Sequence, residues 1–147
     1  MREILFRGQT RLYGEKVDMN GDKLSSNWVY GGIFPQNDGG EFAIIYQQYP
    51  TIEKLTVYAD TVGQYTGVKD NNGIRIFEGD IIQVRFECDA ELPSEPTVWY
   101  ENYEVYFDDE HHEWGVRMGE YTSNLWEYDQ DCVVIGNIYD SPELLSF

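Results

Sequence analysis

A net charge of −17 on 147 residues, from 27 acidic against 10 basic side chains, repels phosphate backbones and speaks against ordinary nucleic-acid binding. With 41% hydrophobic residues, a chain of this length can bury enough surface to fold without a metal or a disulfide, as one domain or as two small β units. Its longest apolar runs, "FAIIY" and "CVVIG", fall far short of the ~20 residues that span a bilayer.

In chain order, the first strand is predicted at Glu3–Gly8, "EILFRG", within an opening that lacks the long apolar centre of a signal peptide. Ser26–Phe34 is the second strand, with Gly31 and Gly32 marking a bulge or sharp bend. A turn at Asn37–Gly40 leads to a third strand at Glu41–Gln48, then a short one near Leu55–Val57 and another at Thr61–Val68. The stretch "QYTGVKDNNGIRIFEGDII" follows. Val68–Lys69 and Ile74–Ile76 flank a tight turn at Asp70–Gly73, where Asn72 and Gly73 suit left-handed backbone angles. A second turn at Gly79–Asp80 restarts a strand in which Ile82, Val84 and Phe86 alternate with Gln83 and Arg85.

Asp89–Thr97 holds two prolines and reads as an exposed loop. Tyr103–Asp109 and Glu113–Met118 read as a second hairpin, with Tyr103, Val105 and Phe107 on one face and Trp114, Val116 and Met118 on another. Leu125–Tyr128 reads as a brief strand and Asp131–Asp140 as the closing one. In Ser141–Leu145, a Ser N-cap followed by Pro and Glu predicts one helical turn. No long segment has a helical period, so the fold class is mainly β.

The segment "GQYTGVKDNNGIRIFEGDII" resembles the central motif of the YopX family, and "VIGNIYDSPELL" is similar to that family's ending. "REILFRGQ" and "WVYGG" resemble its usual start, so the likeness covers most of the chain. The resemblance implies an SH3-like small barrel in the C-terminal half and a phage or prophage setting. It brings no catalytic residues. The expected division is 1–62 as an N-terminal β segment packed on a barrel of 63–147, or one compact domain.

The candidate chemistry is sparse. Asp108, His111 and His112 lie in the one histidine-containing cluster, "DDEHHE". Adjacent side chains on an extended chain point oppositely, so these residues read as a solvated hairpin tip rather than a metal site. Asp70–Gly73 resembles part of a calcium loop without the later bidentate Glu. Glu78 and Asp80 could form a carboxylate pair, but a turn at this point uses an Asp for local backbone bonding. Gly67, Asn72, Gly73, Gly79 and Asp80 are therefore assigned to turns. Cys88 and Cys132 form no CxxC pair and read as free thiols.

Charge is polarised along the chain. Met1–Arg85 carries 11 acidic and 9 basic residues, net −2, whereas Phe86–Phe147 carries 16 acidic residues and one basic, net −15. Aromatic residues interleave with those acids, and Trp99, Tyr100, Tyr106, Trp114 and Trp126 are the expected binding surface. The functional expectation is a cytoplasmic, non-enzymatic accessory protein without a cofactor, which binds a protein partner, by charge a basic one, and neither nucleic acid nor membrane. The alternatives are a DNA mimic that occupies a host DNA-binding enzyme and a structural component that assembles with itself through an edge strand.

Overall fold

A computed structural model of the protein describes residues 3–10, 28–34, 40–47, 53–89 and 95–146. The expected turn at Asn37–Gly40 and loop at Asp89–Thr97 lie largely outside the described residues. The fold is mainly β, in two antiparallel sheets, with short 3₁₀ turns as the helical component among the described residues. The chain divides into two compact units, Met1–Tyr65 and Thr66–Phe147.

The first unit contains β1 (Phe6–Gln9), β2 (Trp28–Phe34), β3 (Phe42–Gln47) and β4 (Glu53–Tyr58), each antiparallel to its predecessor. β5 (Gly63–Lys69) begins in this unit, where Gly63 and Gln64 pair with β1. Val29, Ile45, Leu55 and Val57 form the buried core of this unit, and Phe6, Ala43 and Val62 pack on it. Gly31 sits inside β2 rather than ending it, because a Cβ there would lie 2.1 Å from the carbonyl oxygen of Tyr46. A close approach of two backbones, not a bend, is what requires glycine at this position.

The second unit takes in the rest of β5, then β6 (Arg75–Phe77), β7 (Asp80–Cys88), β8 (Thr97–Asp108), β9 (Glu113–Met118), β10 (Tyr121–Asn124) and β11 (Val133–Asn137). Four of these form a meander, and β11 returns beside β7, giving the order β10-β9-β8-β7-β11. The expected barrel is not closed: the ladder ends at β10 on one side and at β11 on the other. Ile76, Ile82, Val84, Tyr103, Val105, Val116, Leu125 and Cys132 make the core. Val105 lies opposite Val116, and Phe107 opposite Trp114. Directly paired residues share a face, so the two triads expected on different faces occupy the same one.

Two further expectations change. Leu125–Tyr128 is a 3₁₀ turn, not a strand, because Leu125 is fully buried and Tyr128, three residues on, stacks on Tyr103 with ring centroids 5.9 Å apart. Pro142–Leu145 is helical as expected, in 3₁₀ form, but the Ser141 side chain makes no capping hydrogen bond.

Candidate functional site

The two family-like segments of the second unit are bonded to each other. The Asp70 carboxyl is 1% exposed, and its Oδ1 accepts N–H bonds from Asn72 and Ile74, both 2.9 Å. Its Oδ2 accepts the N–H of Val134 at 3.0 Å, and the N–H of Asn71 donates to the carbonyl of Cys132 at 2.9 Å. Both carboxyl oxygens thus face N–H donors, which leaves a cation poorly served at this turn. Asp80, 2% exposed, accepts the Phe77 N–H at 2.7 Å and holds the second turn. Gly67, Gly73 and Gly79 have φ of +87°, +78° and +90°, whereas Asn72 does not take the left-handed conformation expected of it. The Asn72 N–H is instead drawn to Asp70, which closes the turn through a side chain. These residues assemble the fold and leave no reacting group exposed.

At the other end of β7 and β8 the surroundings differ. β11 pairs with β7 only from Asp80 to Gln83, and β9 pairs with β8 only from Glu104 to Asp108. Among the described residues, 84–88 and 97–101 therefore pair only with each other, in a register that includes Arg85↔Tyr100, Phe86↔Trp99, Glu87↔Val98 and Cys88↔Thr97, and β9 leaves the other edge of 97–103 unpaired. The result is a two-stranded arm whose base, at Val84, lies in the core and on which Phe86 still packs, with Val98–Tyr100 beyond it. Consecutive residues on it point to opposite faces, yet Val98, Trp99 and Tyr100 are all exposed, at 40%, 41% and 58%. Phe86 stacks on Trp99 with centroids 5.6 Å apart and planes 17° from parallel. Arg85 is bonded to Glu87 at 3.0 Å, and that bond holds its guanidinium pKa above the ordinary value.

The five aromatics expected to bind fall at separate places. Trp99 and Tyr100 are neighbours on the arm. Tyr106 shares the face of Tyr100, about 20 Å along the strand at ~3.3 Å per residue. It is half-buried beneath the guanidinium of Arg117, 4.4 Å from its ring centroid, and Arg117 also bonds Glu104 through Nε at 3.0 Å. Trp114 packs edge-on against Phe107 at 5.1 Å, next to the core. Trp126, 66% exposed, stands on the Leu125–Tyr128 turn. The structure thus sets Trp99 and Tyr100 side by side in one strand, on opposite faces of it, and spreads the others.

At the β8–β9 tip, Asp108 Oδ2 lies 2.7 Å from His111 Nδ1, while Asp108 Oδ1 accepts the N–H groups of Glu110 and His111 at 3.0 and 3.2 Å. This bond raises the His111 pKa and lowers that of Asp108. His112 has φ +54° and belongs to the turn itself. Among the described residues, no group of three or more His, Cys, Asp or Glu is placed to hold a metal. Cys88 is exposed at the end of β7, and Cys132, just before β11, is buried with its thiol pushed up to about 12 by burial and then by nearby Asp70.

Two features escaped the sequence. Asp70 looked like an ordinary turn residue, because its partner Val134 is 64 positions away. The arm was invisible because its exposure depends on where β9 and β11 stop pairing. The run "TVWY" ahead of "ENYEV" carried a partial signal, with four β-formers and no break in apolar character where a half-buried strand would alternate.

Residues 16–146 match the family model described as YopX protein. No curated protein matches the chain. Among solved structures, the chain is similar to protein EF1440 from Enterococcus faecalis, at 20% identity and a TM-score of 0.49, over 99% of this chain and 100% of that one. No helix among the described residues is long and apolar enough to cross a membrane. With a family model spanning nearly the whole sequence, the chain belongs to the YopX family.

Proposed function

We propose that this chain is a protein-binding module with no reaction of its own, acting in the cytoplasm as a phage or prophage accessory, and that it binds through the β7–β8 arm of its acidic C-terminal half. The exposed run Val98-Trp99-Tyr100 carries the reading. Leaving 41% of Trp99 and 58% of Tyr100 in water forgoes part of the about 1.5–3 kcal/mol that full burial of each would bring. Clustered exposure of this kind marks interaction surfaces, and Trp and Tyr are favoured anchors there. The charge distribution supports a basic partner, since residues 86–147 hold 16 acids against one base. The phage setting comes from the family-like motifs of the sequence.

The test is affinity capture from host lysate on the immobilised full chain, beside a Trp99→Ala/Tyr100→Ala variant shown by circular dichroism to be folded. A discrete set of proteins should be retained by the parent chain at low salt, weaken as salt rises, and be lost with the variant. Equal retention by both chains, or none by either, overturns the reading.

A further inference from the structure

We infer that the edge of β8 at Thr97–Tyr103, which pairs with no other strand among the described residues, receives an extended, lysine- or arginine-rich segment of a partner protein as an added antiparallel strand. The inference rests on the binding-module reading and specifies where and how the partner docks. An unpaired strand presents a row of N–H and C=O groups that templates another strand, and natural edges blunt this with lysine, proline, a bulge or a cover. Among the described residues, "TVWYENY" has no lysine, proline or bulge, and the C-terminal 3₁₀ turn reaches it at Asn102. Pro93 and Pro96 stop just before it, it contains no lysine, and its pairing with β7 is unbroken. Five of its seven residues are Thr, Val, Trp or Tyr, the types that favour strands.

The edge also has a place for a side chain. A cavity of ≈180 Å³ lies beside it, lined by Tyr100, Glu101, Asn102, Met118 and Leu144. A cavity of roughly 150 Å³ can hold a benzene ring, so one aliphatic side chain of an added strand fits. Asn102 stands between the edge and the C-terminal 3₁₀ turn, with its Nδ2 donating to the Leu144 carbonyl at 2.9 Å.

Charge selects among occupants. Among the described residues of this sheet, Arg85 is engaged by Glu87 and Arg117 by Glu104. Residues 84–101 carry Glu87, Asp89, Glu91, Glu95 and Glu101 against Arg85 alone, net −4. A second copy of the chain would bring that same negative field to the same edge, and like charges across an interface cost several kcal/mol. A basic strand gains there, and its cations can also lie over the exposed faces of Trp99 and Tyr100. Acid thus takes the role that lysine has on other edges: it repels self-pairing but admits a cationic strand. Main-chain bonds supply affinity in such additions, and alternate side chains supply selectivity.

The experiment adds the blocked peptide Lys-Val-Lys-Val-Lys-Val-Lys to the full chain at low salt, beside the same peptide N-methylated at every peptide nitrogen. Amide hydrogen exchange is followed residue by residue. At saturation, exchange of amides within 97–103 should slow at least tenfold with the plain peptide and stay unchanged with the methylated one, which keeps the charge but cannot donate to a ladder. Equal binding of both peptides, with no protection at 97–103, reduces the interaction to bulk charge and overturns the inference. Protection of those amides without peptide, together with a dimer in sedimentation, makes a second copy the occupant and also overturns it. A chain that captures a lysate partner through Trp99 and Tyr100, yet shows no protection with the peptide, removes strand addition and leaves the binding-module reading intact.

Discussion

Three backbone N–H groups converge on the Asp70 side chain, two from its own turn and one from Val134, and at 1% exposure water cannot replace the carboxyl. Leaving a buried donor unsatisfied costs about 1–3 kcal/mol. Asp70→Ala should therefore destabilise the protein by about 3 kcal/mol or more, read from the urea midpoint. Asp70→Asn should cost less, because its Oδ1 still accepts the two turn N–H groups while its amide opposes that of Val134. If Asp70→Ala left the midpoint unchanged, the turn would not depend on this contact. At the exposed β8–β9 tip, the same logic yields a pH effect instead. His111 has a raised pKa, so its share of the pair is complete below the ordinary imidazole value of ~6.5 and is lost as pH climbs through the raised value. Asp108 has a lowered pKa, so its share is present above the ordinary carboxyl value of ~3.9 and is lost as pH falls through the lowered one. The contact is thus strongest between those limits. By NMR titration, the His111 midpoint should lie above that of a free imidazole and return toward it in Asp108→Asn.

Within a single element, β8, the same alternation serves two purposes. Its second half places Tyr103 and Val105 in the core at 3% and 0% exposure, while its first half leaves Trp99 41% exposed on that same face. The difference comes from neighbours: β9 and its partners cover the second half, and Phe86 is the ring stacked on Trp99. Truncating a large buried aromatic costs about 3–5 kcal/mol. Tyr103→Ala should fall in that range, whereas Trp99→Ala should cost less, since 41% of Trp99 already stands in water and water can fill the space it leaves. Equal costs in chemical denaturation would place Trp99 inside a packed core and remove the arm as a docking surface. The strand itself could be read from its β-forming residues, because period-2 alternation is local. Its extension back to Thr97 could not, because the predicted start at Tyr103 followed the apolar alternation, and Thr97–Tyr100 has no buried face to enforce one.

At the level of the whole molecule, net charge is the dominant electrostatic fact. A charge of −17 on 147 residues favours expansion through self-repulsion, and added salt screens it. The melting temperature should rise between 10 and 200 mM NaCl, roughly 2–4 °C for each ~1 kcal/mol relieved at this size. Binding of a basic partner should weaken over the same range. Opposite salt responses of stability and binding would distinguish repulsion within the chain from attraction across an interface. Parallel responses would show that the acidic residues act mainly through their local pairs.

By itself the sequence determined what depends on near neighbours. Alternating apolar residues along 80–86 set a strand, glycines 67, 73 and 79 met positive φ, and the division of charge at residue 85 defined one strongly anionic half. Only the tertiary structure decided what depends on distant partners. Leu125–Tyr128 became a 3₁₀ turn because Tyr128 found the ring of Tyr103, and Asp70 became a buried tie because Val134 came back to it. The sheet stayed open, and the arm stayed bare, because β9 and β11 pair with only part of their neighbours. Backbone conformation is chosen residue by residue, whereas burial and pairing are properties of surfaces that meet only once the chain has folded.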